Sequence, residues 1–296
     1  MTTQTEAGLD VKGVAAVSVT LVLWASAFVG IRFAGTHYEP GSLALGRLLV
    51  GALALGAIAV VKGMPLPPRK AWPGIAGAGV FWFGLYMVAL NWGERYTDAG
   101  TASLLVGIGP VFAAILAGIV LKEGLPRPLV IGLVVAFTGA AIVGLASQHG
   151  SSSALGVALC LLAAAGYAVG VVSQKPALSH ATALQATTFG CAVGAVACLP
   201  FSGQLLHDVA TAPASATWSV VYLGLLPTAL AFYTWAYALS RTPAGKLGVT
   251  TYVVPVIVIA LSWLFLEEVP TLLAVLGGAL CLAGVGVSRT KKRRAQ

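Results

Sequence analysis

Charge is what this sequence has least of. Asp, Glu, Lys and Arg make up 9% of its 296 residues, against about 25% in a soluble domain. That is too little polar surface to cover a soluble core of this size, so a water-soluble globular protein is excluded. Acidic residues number 9, and none falls in the middle of an apolar stretch. Carriers coupled to protons or sodium usually place a carboxylate there, so facilitated diffusion or exchange is the expected mode of any transport. The histidines (His37, His149, His180, His207) lie between the apolar stretches and form no metal-ligand spacing. A nucleotide-cradling P-loop is missing, and so is a pair of carboxylates fit for acid–base catalysis. Cys160, Cys191, Cys198 and Cys281 all sit within apolar stretches and read as small core residues, not as a disulfide framework. These gaps exclude an ATP-driven pump and a membrane enzyme. They leave no catalytic residue, metal or cofactor to assign.

Apolar residues, by contrast, make up 58% of the chain. About 20 of them in a helix span a bilayer core, and such runs follow one another almost end to end. The expected fold class is an all-α integral membrane protein. Ten transmembrane helices are predicted, near residues 12–34, 41–62, 71–93, 98–121, 127–146, 154–173, 183–203, 216–239, 244–266 and 271–288. Turn chemistry marks the breaks at Glu39-Pro40-Gly41, Pro65 to Pro68, Pro126-Arg127-Pro128 and Thr242-Pro243. Lys12, an apolar run and Ala25-Ser26-Ala27 have the outline of a signal peptide. The run continues past them to Ala34, so cleavage is not expected.

Two stretches repeat one pattern. They are AGTASLLVGIGPVFAAILAGIVLKE at 99–123 and AGKLGVTTYVVPVIVIALSWLFLEE at 244–268. An offset of 145 residues takes Pro110 to Pro255, Glu123 to Glu268 and, further on, Gly139 to Gly284. The chain therefore divides into two five-helix units, 12–146 and 154–288. A polar linker at 147–153 joins them and a basic tail at 289–296 follows. With the N-terminus cytoplasmic, Lys12, Lys62, Arg69, Lys70, Lys122, Arg127, Lys175, Arg241, Lys246 and the tail fall inside. Glu39, Glu94, Asp98, Asp208, Glu267 and Glu268 face out. This is the positive-inside pattern, and it accounts for the net charge of +8 without a nucleic-acid partner. Five is odd, so the second unit returns upside down, giving two inverted repeats as in many secondary transporters.

Pro110 and Pro255 fall near the centres of two predicted helices and are expected to kink them at the repeat interface. Trp24, Trp82, Tyr86, Ser103, Tyr167, Tyr233 and Tyr252 bring polar tips to membrane depth. Such groups suit a cavity for an amphipathic small molecule. Interhelical packing and interfacial belts are the alternative, which fits Trp72, Trp92 and Trp218 well. Arg47 is the one basic residue well inside a helix. It either meets a substrate carboxylate, snorkels outward or pairs with Glu267 or Glu268, and its nearness to the interface favours snorkelling. Glu123 and Glu268 close the two repeats and read as solvated helix-end charges.

The pieces WASAFVGIR at 24–32, LALGRLLVGAL at 43–53, LGLLPTALAFYTWAYAL at 223–239 and GGALCLAGVGV at 277–287, with the two repeats, carry a resemblance. The chain resembles the EamA-type transporters of the drug/metabolite transporter (DMT) superfamily, over residues 12–288 as two tandem units. The resemblance implies a ten-helix carrier of the bacterial inner membrane with both termini cytoplasmic. It implies alternating access and export of small metabolites, amino acids or drugs. Arg47 matches an arginine that the family often carries in its second helix, and Pro110, Glu123, Pro255 and Glu268 match its Pro…Glu pattern. Substrate identity does not carry over. The expected partners are a small molecule, an amino acid foremost, and the lipid bilayer. Drugs, phosphorylated or nucleotide sugars, and a non-transporting membrane partner protein stay open, though phosphorylated cargo wants more deep cations than Arg47 alone.

Overall fold

A computed structural model describes residues 11–120, 127–146, 153–241, 247 and 250–288. Glu123, most of the linker 147–153 and the tail 289–296 lie outside the described residues. Every element among the described residues is helical. In chain order they are α1 (Val11–Ala34), α2 (Pro40–Val61), α3 (Arg69–Gly93), α4 (Ala99–Val106), α5 (Gly109–Val120) and α6 (Arg127–Ala146). Then come α7 (Ala154–Ala177), α8 (Ala183–Ala197), α9 (Leu199–Thr211), α10 (Ala214–Arg241), α11 (Val254–Leu266) and α12 (Leu272–Ser288).

Among the described residues, 5 helices (α1, α2, α3, α7 and α10) are long and apolar enough to cross a membrane. A sixth forms if α8 and α9, bent by 54° at their junction, count as one span. Large apolar side chains remain exposed on the outside, Leu53, Val60 and Trp263 among them. Helices apolar on every side belong in lipid. The helix starts are set by local chemistry. Asp98 accepts from the Thr101 N–H at 2.8 Å and from its hydroxyl at 2.6 Å, capping α4. Thr182 and Gln185 form a reciprocal capping box on α8.

The starts of α1 and α2 recur at α7 and α8 after 143 residues; those of α3, α5 and α6 recur at α10, α11 and α12 after 145. Two departures from α-geometry follow the same spacing. Both α3 and α10 widen into π-helical turns, at Gly79–Tyr86 and Gly224–Leu230. In α10 the cause is Pro227, which lacks an N–H and crowds the preceding turn. The second departure corrects an expectation. Pro110 and Pro255 do not kink continuous helices. Each is the second residue of an α-helical segment, α5 and α11: a local turn at Gly107 and Ile108 precedes the first, and the 3-10 turn Thr251–Val253 runs directly into the second. In the first turn the N–H has no intrahelical partner anyway, so proline fits there without loss.

The middle of the molecule is α3 packed against α7 and α8, with α1 and α2 closing on α10. At the periphery α6 and α12 run against each other along their length. Gly139 makes that approach possible, because a Cβ there would collide with the Gly277 carbonyl and stand 2.6 Å from the Cys281 nitrogen. Gly56 in α2 has open space around its missing Cβ. Gly139→Ala is expected to cost about 1–3 kcal/mol through overpacking, whereas Gly56→Ala should gain about 0.5–1 kcal/mol in helix propensity. Thermal unfolding in detergent checks both, and equal midpoints for the two variants would refute this account of the pair.

Candidate functional site

A cavity of about 60 Å³ lies where α1, α2, α3, α4, α5, α7, α10 and α11 meet. Of the residues singled out from sequence, Trp24, Trp82, Tyr86, Ser103 and Tyr167 line it, together with Arg47, Pro110 and Pro255. Tyr233 does not. Its neighbour Phe232 takes the place, because the wide turn of α10 just before it shifts the helical register. The side chain of Tyr252 lies outside the described residues, but the adjacent Thr251 lines the cavity. Phe28, Leu90 and Val254 complete an apolar wall that the sequence reading missed. Single apolar residues in an apolar chain carry no signal to find them by.

One side of the cavity is an aromatic stack. Trp24 and Trp235 stand 4.9 Å apart, Trp82 meets Tyr167 edge to face at 5.2 Å, and Phe232 bridges Trp82 at 4.9 Å and Phe83 at 4.5 Å. Trp82 can lie on α7 only because residue 170 is glycine, since a Cβ there would collide with the Cβ of Trp82. The indole N–H groups of Trp24 and Trp235 are buried and find no acceptor among the described residues. An unmade bond of this kind costs about 1–3 kcal/mol; of the two residues, Trp24 lines the cavity, where a ligand or water can meet it.

Arg47 is 3% exposed and faces inward. Its Nε donates to Thr228 Oγ1 at 3.0 Å, in the wide turn of α10. The terminal amino groups have no hydrogen-bond partner among the described residues and face the cavity. Arg47 thus neither snorkels nor pairs with Glu267 or Glu268. Its helix face is turned to α10 and α3, away from lipid.

A second space, about 630 Å³ and open to solvent, begins one helical turn further along α1 and α3. Ile31, Arg32, Asn91, Glu94 and Glu268 line it. Arg32 bonds Glu268 through Nε at 2.8 Å and through Nη2, and its Nη1 donates to the Glu94 carbonyl at 2.7 Å. The other carboxylate oxygen of Glu268 accepts from Ala99 N–H at the start of α4, at 3.3 Å. Glu268 is therefore a clasp between α1, α4 and α11, not a solvated helix-end charge. Glu267, left-handed at φ 56°, ends α11 and turns the chain so that Glu268 points back.

Glu94 departs most from expectation. The sequence places it in an outer loop, facing water. It is 1% exposed, and neither carboxyl oxygen has a hydrogen-bond partner among the described residues. The end of α3 is pressed onto α7, where a Cβ at Gly93 would stand 2.8 Å from Cys160 Sγ, and this packing carries Glu94 inward. Glu94 is the first residue beyond the α3 span. Burial holds its carboxyl well above the usual carboxylate range, against the opposing pull of Arg32.

Comparison with known proteins fits this arrangement. The EamA-like transporter family matches the chain twice, over residues 11–145 and 154–290. The chain is 39% identical over 276 residues to a probable terminal-alkyne amino-acid exporter of Streptantibioticus cattleyicolor, covering 93% of this chain and 92% of that protein. It is 37% identical to the uncharacterized transporter YdfC of Bacillus subtilis, covering 90% and 88%. It is 28% identical to a probable amino-acid metabolite efflux pump of Escherichia coli, covering 70% and 71%. A solved crystal structure, described only as that of a protein, shares the fold with a TM-score of 0.64, covering 94% of this chain and 97% of its own at 19% identity. Matched in both halves and aligned almost end to end with named transporters, this chain is a multi-pass membrane protein and belongs to the EamA-like transporter family.

Proposed function

We propose that this transporter exports small amphipathic metabolites, amino acids foremost, by alternating access. The observation that carries the reading is Arg47. A guanidinium whose amino groups have no hydrogen-bond partner among the described residues faces an aromatic cavity beside the turns that precede Pro110 and Pro255. A planar fork of donors in a dry site suits a carboxylate. The first turns of α5 and α11 also line the cavity through Pro110, Val254 and Pro255. Trp24, Trp82 and Tyr167 would hold the apolar part of the molecule. The names of two relatives, an amino-acid exporter and an amino-acid metabolite efflux pump, support the same class.

At about 60 Å³ the cavity falls well short of the roughly 300 Å³ at which ligand pockets begin. We therefore read this conformation as occluded, with the Arg32–Glu268 clasp closing the side nearer the vestibule. We read the helices as ten spans in two inverted five-helix units, 12–146 and 154–288. The recurrence of helix starts, wide turns and proline breaks at 143 to 145 residues supports this. The distribution of Lys and Arg supports cytoplasmic termini in a bacterial inner membrane, with the vestibule facing out. The lone deep arginine speaks against phosphorylated cargo.

Two sets of variants test the site in proteoliposomes loaded with labelled proteinogenic amino acids. Arg47→Gln removes charge-assisted bonds of about 1.5–3 kcal/mol, so exchange should fall about 10- to 100-fold, with Arg47→Lys in between. Tyr86→Ala should impair exchange several-fold while Tyr233→Ala leaves it near the wild-type rate. Full exchange by Arg47→Gln would remove the carboxylate-docking role. Equal loss in the two tyrosine variants would show that the cavity drawn here is not the path.

A further inference from the structure

Glu94 is a titratable group that the proposed site does not use. It is a buried carboxyl without a hydrogen-bond donor among the described residues, set between the cavity and the vestibule. It sits one turn beyond Leu90, which lines the cavity, and its other side borders the vestibule. The charged and titratable groups around it come from every element packed there. They are Arg32 on α1, Arg47 on α2, Tyr86 on α3, Asp98 before α4, Cys160 on α7 and Glu268 after α11. Neither arginine bonds the Glu94 carboxyl. Arg32 holds the Glu268 carboxylate and touches Glu94 only through its backbone carbonyl, while Arg47 holds Thr228.

We propose that Glu94 is a proton-binding site whose proton is exchanged for the substrate's ammonium group during transport. This rests on the amino-acid exporter reading of the same cavity. Charge balance carries it. Arg32 and Arg47 supply two positive charges, and Asp98 and Glu268 two negative ones. A neutral Glu94 leaves that set balanced in a water-poor interior, where an unpaired charge is costly. An ionised Glu94 leaves one negative charge in excess. It is sustained when the clasp parts and water or Arg32 reaches the carboxyl, or when a substrate ammonium stands beside it. Proton and ammonium then exclude one another on one carboxylate. The proton that leaves Glu94 goes to water on the side where the substrate enters, and another is taken up on the side where the substrate leaves. Each ligand is bound by a different protonation state of one group, which is what coupling requires.

The test uses the purified full chain, as wild type, Glu94→Gln and Glu94→Asp. Infrared difference spectra between neutral and alkaline buffer, a range in which ordinary carboxyls are already ionised, are read for the protonated-carboxyl stretch. Flux of pooled labelled amino acids into proteoliposomes is measured with and without an acid-inside gradient of one pH unit. For one proton exchanged per substrate, the gradient should raise wild-type accumulation up to about tenfold. Glu94→Gln should lack both the titrating stretch and the response to the gradient. Glu94→Asp should keep both at a displaced pH, which guards against a folding defect in the glutamine variant. A stretch that survives Glu94→Gln, a wild type indifferent to the gradient, or a Glu94→Gln variant that responds like wild type would each overturn the proposal. A titrating stretch lost in Glu94→Gln, from a protein that moves no amino acid under any condition, would uphold the proton site and overturn the amino-acid reading instead.

Discussion

Backbone that leaves the α-helix inside a bilayer has no water to complete its hydrogen bonds, so it survives only inside protein or at a cavity. That constraint organises this molecule. The turn before Pro110, the 3-10 turn before Pro255 and the π-helical widening of α3 all border one small space, and the widening of α10 reaches it through the bond from Arg47 to Thr228. Elsewhere the long spans α1, α2 and α7 are regular. Apart from the 54° bend between α8 and α9, the irregular backbone within the helices is thus gathered where its free groups have something to face. The same widenings aim the chemistry. Gly79–Tyr86 presents Trp82 and Tyr86, and Gly224–Leu230 presents Thr228 to Arg47.

Close packing gives the cavity its walls. Gly170 admits Trp82 against α7, and a Cβ on Gly109 would stand 2.6 Å from the ring of Tyr167. In lipid there is no hydrophobic gain from bringing helices together, so small residues and shape set these distances. Aromatic rings then fill the space with few rotamers, leaving a cavity whose form is fixed by interlocked helices. Such a wall moves as whole helices, which suits a change between discrete states.

Much of this was legible in the sequence, for physical reasons. Apolar runs of span length, a duplicated Pro…Glu pattern and scarce charge each bear on class and organisation before any coordinate. Trp24, Trp82, Tyr86, Ser103 and Tyr167 stood out because polar tips at depth need partners. Other features were hidden. The register shift that replaces Tyr233 by Phe232 depends on a wide turn, and hydropathy cannot see a turn's width. Pro110 looked like a kink because the break at Gly107 and Ile108 is made of residues equally at home in a helix. Glu94 looked like a loop acid because burial there is tertiary. It comes from the approach of α3 to α7 through Gly93, and no local pattern records it.

The clasp at the vestibule shows how one polar side chain can hold several helices together. Glu268 gathers the guanidinium of Arg32 and the first N–H of α4, and so joins three helices with one carboxylate. At the position equivalent to Arg32 in the second half, Lys175 donates to the Leu239 carbonyl at 2.7 Å. Equivalent basic residues therefore tie down different kinds of acceptor, a carboxylate on one side and a backbone carbonyl on the other. In the inverted arrangement proposed here those two sites lie at opposite ends of the cavity. A conformational change that traded their roles would open one end as it closed the other. The energy separating the two states would then reside in a handful of charge-assisted bonds and not in the apolar packing, which both states can share.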